Sequence, residues 1–169
     1  MFEKVSYSQY KSAWEDLGMV FSAQDEETLL VEWEKIKVPA RATAGSAGYD
    51  FYLPRTMDFS PRRNQFFPTG IRCVMDEIDM NVFLSLVPKS GLGCKYGMRL
   101  LNTMGVVDKD YAHSDNEGHI MCGISVEREL HLHAGDKFLQ GILQMFFTFH
   151  GEKSPTAVRD GGFGSTGRN

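Results

Sequence analysis

From about Lys35 to His150 the chain is written in short apolar runs broken by Gly, Pro, Asn and Asp, and this texture limits the fold more than any other feature. It is the pattern of a compact all-β domain. Val82 to Val87 is a nearly continuous apolar run, whereas Ile120, Cys122, Ile124 and Val126 alternate with other residues and would face one side of a strand. Ile142 to Phe149 reads as a strand buried on both faces, and Ala134-Gly135-Asp136 as the tight turn that feeds it. Many short strands joined by turns imply a barrel or a sandwich.

The first thirty or so residues differ. Ser6 and Gln9 have the spacing of a capping box, and Val5 and Tyr10 that of a hydrophobic staple. Tyr10, Ala13, Trp14 and Leu17 then follow the i, i+3, i+4, i+7 rhythm of an amphipathic helix that Gly18 is placed to stop. The next stretch, Asp25 to Ile36, leaves its class open, because Leu29, Trp33 and Ile36 fit a helix while Val31 and Trp33 fit a strand. With 169 residues there is room for one well-buried core. The expected division is a partly helical extension over 1–34, a β domain over 35–158 and a glycine-rich tail over 159–169.

A formal net charge of −4 argues against a surface that grips nucleic acid through its phosphates. No segment approaches the apolar length of a membrane span, and the first residues lack the pattern of a signal peptide, so a cytoplasmic location is expected. Cys73, Cys94 and Cys122 are widely spaced, which suits reduced, buried thiols. Other signals carry little. Gly162-Phe163-Gly164-Ser165-Thr166-Gly167 formally matches G-x-G-x-x-G, but no strand–helix unit surrounds it. His131 and His133 could project to one side of a strand, yet the ligands needed to complete a zinc site are missing nearby, and a solvated pair is the better account.

Five stretches remain, in this order: Ala47-Gly48-Tyr49-Asp50-Phe51-Tyr52, Pro88-Lys89-Ser90-Gly91-Leu92-Gly93, Gly105-Val106-Val107-Asp108-Lys109-Asp110-Tyr111, Gly135-Asp136-Lys137-Phe138-Leu139-Gln140 and Arg159-Asp160-Gly161-Gly162-Phe163-Gly164-Ser165-Thr166-Gly167. In order and spacing they resemble the five motifs of the homotrimeric dUTPase family. The resemblance implies a jelly-roll-like β-barrel subunit in a threefold assembly with shared sites, closed by a C-terminal lid. The activity it implies is hydrolysis of dUTP to dUMP and pyrophosphate.

That reaction needs an oriented water, stabilised phosphate charge and a pocket for uracil and deoxyribose. The resemblance makes Asp108 the group that activates the water, a task suited to a carboxylate acceptor. Asn102 offers an amide edge to the pyrimidine, with backbone groups of Gly105, Val106 and Val107 beside it. Tyr111 would lie beneath the sugar and exclude a ribose 2′-hydroxyl; an ordinary core role is compatible with that. Ser90 and Gly91, placed in a short turn, would donate to phosphate oxygens together with Lys89 and Gln140. Arg159 would reach the terminal phosphates, Phe163 would stack on uracil, and Gly164 and Ser165 would close with it. Mg2+ is expected with a triphosphate, Asp50 meeting it through a water molecule.

The sequence departs from the family pattern in places. Lys89 stands where Arg is usual, which keeps the charge and loses the bidentate fork. The spacing between Arg159 and the Gly-Gly-Phe-Gly unit is one residue short. The run 112–119 is longer than the usual turn, and it or the N-terminal helix could engage a protein partner. A dCTP deaminase-like enzyme of the same fold and a protein-binding regulator are the rival readings.

Overall fold

The computed structural model describes residues 1–153 and 156. In chain order it forms β1 (Phe2–Lys4), α1 (Tyr7–Asp16), α2 (Ala23–Lys35), β2 (Ala40–Arg41), β3 (Gly48–Tyr52), β4 (Met57–Phe59), β5 (Gln65–Pro68), β6 (Ile71–Cys73) and β7 (Val82–Pro88). There follow α3 (Ser90–Tyr96), β8 (Arg99–Leu100), β9 (Gly105–Asp108), a 3-10 turn over Lys109–His113, β10 (Met121–Ser125), β11 (Leu130–Leu132) and β12 (Lys137–Met145). The largest sheet has the order β2-β3-β12-β7-β9, and every pairing in it is antiparallel. A second sheet runs β5-β10-β8, while β11 pairs β4 and β1 pairs β6.

The alternation seen in the sequence has the expected result. Cys122 and Ile124 of β10 are buried, as are the flanking Ile120 and Val126. Phe51, Phe59, Phe67 and Phe138 bring four strands to one aromatic core, with the Phe67 and Phe138 rings 5.6 Å apart. Ile142 to Phe149 behaves differently from its sequence reading. β12 pairs β7 only as far as Met145 opposite Val82, and Phe147 and Phe149 are 92% and 88% exposed. Where β7 begins the ladder loses its partner, so the remaining apolar residues stand outside the core.

Asp25 to Ile36 resolves as helix: α2 starts at a Ser22–Asp25 capping box that lies just upstream of the ambiguous stretch. α1 begins at Ser6, whose hydroxyl accepts the Gln9 N–H at 3.1 Å, and ends at Asp16, two residues before Gly18. The two helices pack on the barrel. Tyr10 and Trp14 are buried, and side chains of that size are worth about 3–5 kcal/mol each against truncation. The Tyr10 hydroxyl donates to Glu32 at 2.5 Å, Arg55 pairs with Glu32 at 2.9 Å, and the Arg55 guanidinium lies 4.2 Å from the Trp14 ring. β1 completes the attachment by pairing with β6. Cys73 and Cys122 are buried free thiols, whereas Cys94 on α3 is exposed. Among the described residues, no helix is long and apolar enough to cross a membrane.

The segment that returns to β10 contains the buried His119. Its Nε2 accepts the Gly70 N–H at 2.9 Å, while Nδ1 has no hydrogen-bond partner among the described residues. Burial holds the imidazole at about 4, well below the ordinary histidine value, against an upward pull from the Glu117 charge. The unfolded chain therefore takes up a proton near pH 6.5 that the folded chain refuses until about pH 4. Stability is present above that window and falls as pH drops through it, by roughly 3 kcal/mol in full. Urea unfolding between pH 7 and pH 4 should show this loss, and a His119→Asn variant should have a shallower pH dependence.

Candidate active site

The main sheet sets Asp50 of β3 opposite Gln140 of β12, and Gln140 opposite Val87 of β7. This register gathers one end of the site. Asp50 is buried, and its Oδ2 accepts Lys137 Nζ at 2.6 Å. Its Oδ1 faces Lys89 Nζ at 3.4 Å and accepts the Gln140 amide at 3.3 Å. Burial pushes the Asp50 carboxyl up, but Lys137, Gln140 and Lys89 together outweigh it and hold the group below the usual carboxylate range. Two cations share one anion here, so the cluster keeps a net positive charge, and both lysine side chains remain partly exposed. Lys137 is a member the sequence reading did not single out; a cation three residues before Gln140 was its only signal.

Ser90 and Gly91 follow β7 after the single residue Lys89, but not in a free turn. They open the short helix α3, in which the Leu92 and Gly93 amides donate to the Lys89 carbonyl at 2.9 and 3.0 Å. Three further residues between Gly93 and Gly97 that can hold helical backbone make a helix out of the expected turn. A Cβ built on Gly91 would meet nothing within 4 Å, so the backbone there is open to approach.

The other end of the site lies around β9. A cavity of about 240 Å³ is lined by Phe66, Leu86, Leu100, Leu101, Asn102, Gly105, Met121 and Gly123. It is largely apolar, with the Asn102 amide as the side chain able to donate and accept. Gly105 is required by packing, since a Cβ there would fall 2.9 Å from that of Leu86. Val106 is exposed, Val107 buried, and Asp108 ends the strand at the N-cap of the 3-10 turn without capping it through its side chain. Tyr111 sits in that turn and is buried.

The two ends do not meet within one chain. Asp50 and Asp108 are separated by β12 and β7, and Asp108 pairs with Phe83, four residues before Val87. Three strand spacings across and four residues along put them on the order of 20 Å apart. Arg159, Phe163, Gly164 and Ser165 lie outside the described residues.

Among known proteins, the family model described as dUTPase matches residues 34–167. The deoxyuridine 5'-triphosphate nucleotidohydrolase of Lactococcus lactis subsp. lactis (strain IL1403) is 35% identical over 136 residues, covering 78% of this chain and 89% of that one. The chain belongs to the dUTPase family. The fold agrees. The crystal structure of dUTPase from Streptococcus mutans superposes with a TM-score of 0.58 at 32% identity, over 68% of this chain and 89% of that one. A mutant dUTPase from phage phi11 of S. aureus, whose structure describes a structural Mg(II) ion, shares the fold with a TM-score of 0.58 at 16% identity, over 72% of this chain and 91% of that one.

Against that family background the Asp50 cluster limits how an ion could be held. Among the described residues no group of three or more His, Cys, Asp or Glu could form a metal cage. Asp50 already receives two ammonium groups and an amide. These residues fit an ion carried by phosphate oxygens and water, not one caged by protein.

Proposed function

We propose that this protein hydrolyses dUTP to dUMP and pyrophosphate, at sites shared between subunits of a homotrimer. The observation that carries this reading is the pair of half-sites: a cationic cluster around Asp50, and Asp108 three strands away on β9, the strand whose Gly105 end lines an apolar cavity with Asn102. A base and a phosphate cradle acting on one substrate must lie within hydrogen-bond reach of it. The separation within one chain is met if each site takes its cradle from one subunit and its hairpin from the next. The exposed Phe66, Val106, Phe147 and Phe149 support such an assembly, because apolar side chains left open in one chain are what a second chain covers.

In this reading the Asn102 amide and the β9 backbone read the uracil edge, and Tyr111 lies beneath the sugar. Lys89, Lys137, the Ser90 hydroxyl, the Gly91 N–H and Gln140 hold phosphate oxygens, with Asp50 keeping both lysines in place. Mg2+ bound to the triphosphate supplies further neutralisation of its charge. Asp108 orients the attacking water and takes its proton. The glycine-rich tail closes over the substrate, Phe163 stacking on the ring and Arg159 reaching the terminal phosphates, with Gly164 and Ser165 in the closing segment. The product serves dTTP synthesis, and the reaction keeps uracil out of DNA.

A nucleotide panel with magnesium tests this. Pyrophosphate should be released from dUTP far faster than from UTP, dTTP or dCTP, and Tyr111→Ala should narrow the preference for dUTP over UTP. Ammonia release from dCTP without pyrophosphate would replace the reading with a deaminase, and inertness towards all four would favour a binding protein.

A further inference from the structure

Tyr111 is held by more than its ring. Its hydroxyl donates to the His119 carbonyl at 2.9 Å and accepts from the Asn116 amide at 2.9 Å. Its own carbonyl takes the Ser114 hydroxyl at 2.7 Å and the Ser114 N–H at 3.1 Å. Every one of these partners comes from the 112–119 segment, the part that is longer than the family turn. The segment also closes on itself: Asn116 Oδ1 accepts the Ser114 hydroxyl at 2.8 Å and the Gly118 N–H at 3.1 Å. Gly118, at φ +71°, lies so close to the start of the segment that a Cβ would fall 2.6 Å from Ala112 Cα.

This closed loop is then clamped from outside. Glu117 accepts the Ser6 N–H at 2.8 Å and the Ser6 hydroxyl at 2.5 Å. Burial pushes its carboxyl up, yet the two Ser6 donors prevail and hold it below the usual carboxylate range. Ser6 is the N-cap of α1, so the loop is tied to the first turn of the N-terminal helix. On the other side His119 receives the Gly70 N–H, and the Gly70 carbonyl receives that of Val5 at 3.1 Å. The line of contacts from α1 through Glu117 and Asn116 ends on the Tyr111 hydroxyl.

We propose that Asn116 is a positioning residue for Tyr111, and that the 112–119 loop, tethered through Glu117 to α1, sets how sharply the site excludes a 2′-hydroxyl. The proposal rests on the reading of Tyr111 as the platform beneath the sugar. A steric filter rejects one extra oxygen only if its wall is rigid. A ring anchored at its far end by two hydrogen bonds cannot tilt away, whereas one that has lost them can give by the few tenths of an ångström that admit UTP.

The experiment compares kcat/KM for dUTP and UTP in Asn116→Asp, Tyr111→Phe, their double variant, Glu117→Ala and Tyr111→Ala. Asn116→Asp keeps an acceptor for Ser114 and Gly118 while removing the donor to Tyr111, so the loop is retained and the ring loses one of its two anchors. It should narrow the dUTP/UTP ratio by about five- to tenfold, the factor carried by a single hydrogen bond. The change should come from better use of UTP, with kcat for dUTP within about twofold of the parent. Tyr111→Phe, which also removes the bond to the His119 carbonyl, should narrow the ratio at least as far, and the double variant no further than Tyr111→Phe, because the Asn116 contact is then already gone. Glu117→Ala should move the ratio in the same direction and keeps the test open if Asn116→Asp does not fold. If Tyr111→Ala narrows the ratio while Asn116→Asp and Glu117→Ala leave it unchanged, or lower both activities equally, the positioning role is overturned and the sugar platform stands. An unchanged ratio in Tyr111→Ala would overturn the platform itself.

Discussion

Asp108→Asn should leave dUTP binding nearly intact and lower kcat by about 10²–10⁴-fold, the span that a positioned proton acceptor contributes. The amide matches the carboxylate in size and can still orient a water, but it cannot take the water's proton. Because the residue ends β9 and its side chain does not cap the following turn, the substitution removes no cap from the fold. Turnover measured on the folded variant, alongside titration with a non-hydrolysable dUTP analogue, separates the two effects. A variant that turned over at close to the parent rate would place the base elsewhere.

The second expected result follows from the sheet order. Asp108→Asn and Lys89→Ala subunits should each be nearly inactive alone, yet active when mixed. If every site joins the Asp108 end of one subunit to the Lys89 end of another, random co-assembly in equal amounts leaves about one site in four with both ends intact. Unfolding the two variants together, refolding them and measuring pyrophosphate release should therefore recover roughly a quarter of the parent activity, while mixing without unfolding recovers less. No recovery in a co-assembled mixture would mean that each site is built within one chain.

Much of the candidate site was legible in the sequence because its described residues fall in four local motifs, and local spacing survives reading in one dimension. Asp50, Lys89 and Gln140 were each marked by a motif, and the β register then brought them together. What the sequence did not disclose was set by partners far along the chain. Lys137 acquires its role only because β12 lies against β3. The contact between Glu117 and Ser6 spans 111 residues and follows no periodicity. The capping box of α2 was readable, but Asp25 to Ile36 read alone lacks Ser22 and so stays ambiguous. The end of β12 was overestimated for a related reason. Phe146 to Phe149 is as apolar as a core strand, and hydropathy does not say whether the covering surface belongs to the same chain.

That last point bears on how the protein holds together. With Phe147 and Phe149 in the open, the thermodynamics of one chain is incomplete. In the proposed trimer, part of the apolar burial that stabilises the fold would be gained only on association, so folding and assembly would draw on the same free energy. Dilution of such a trimer should then act as a denaturant of a mild kind: it would remove the neighbours that cover these rings before it touched the aromatic core beneath them.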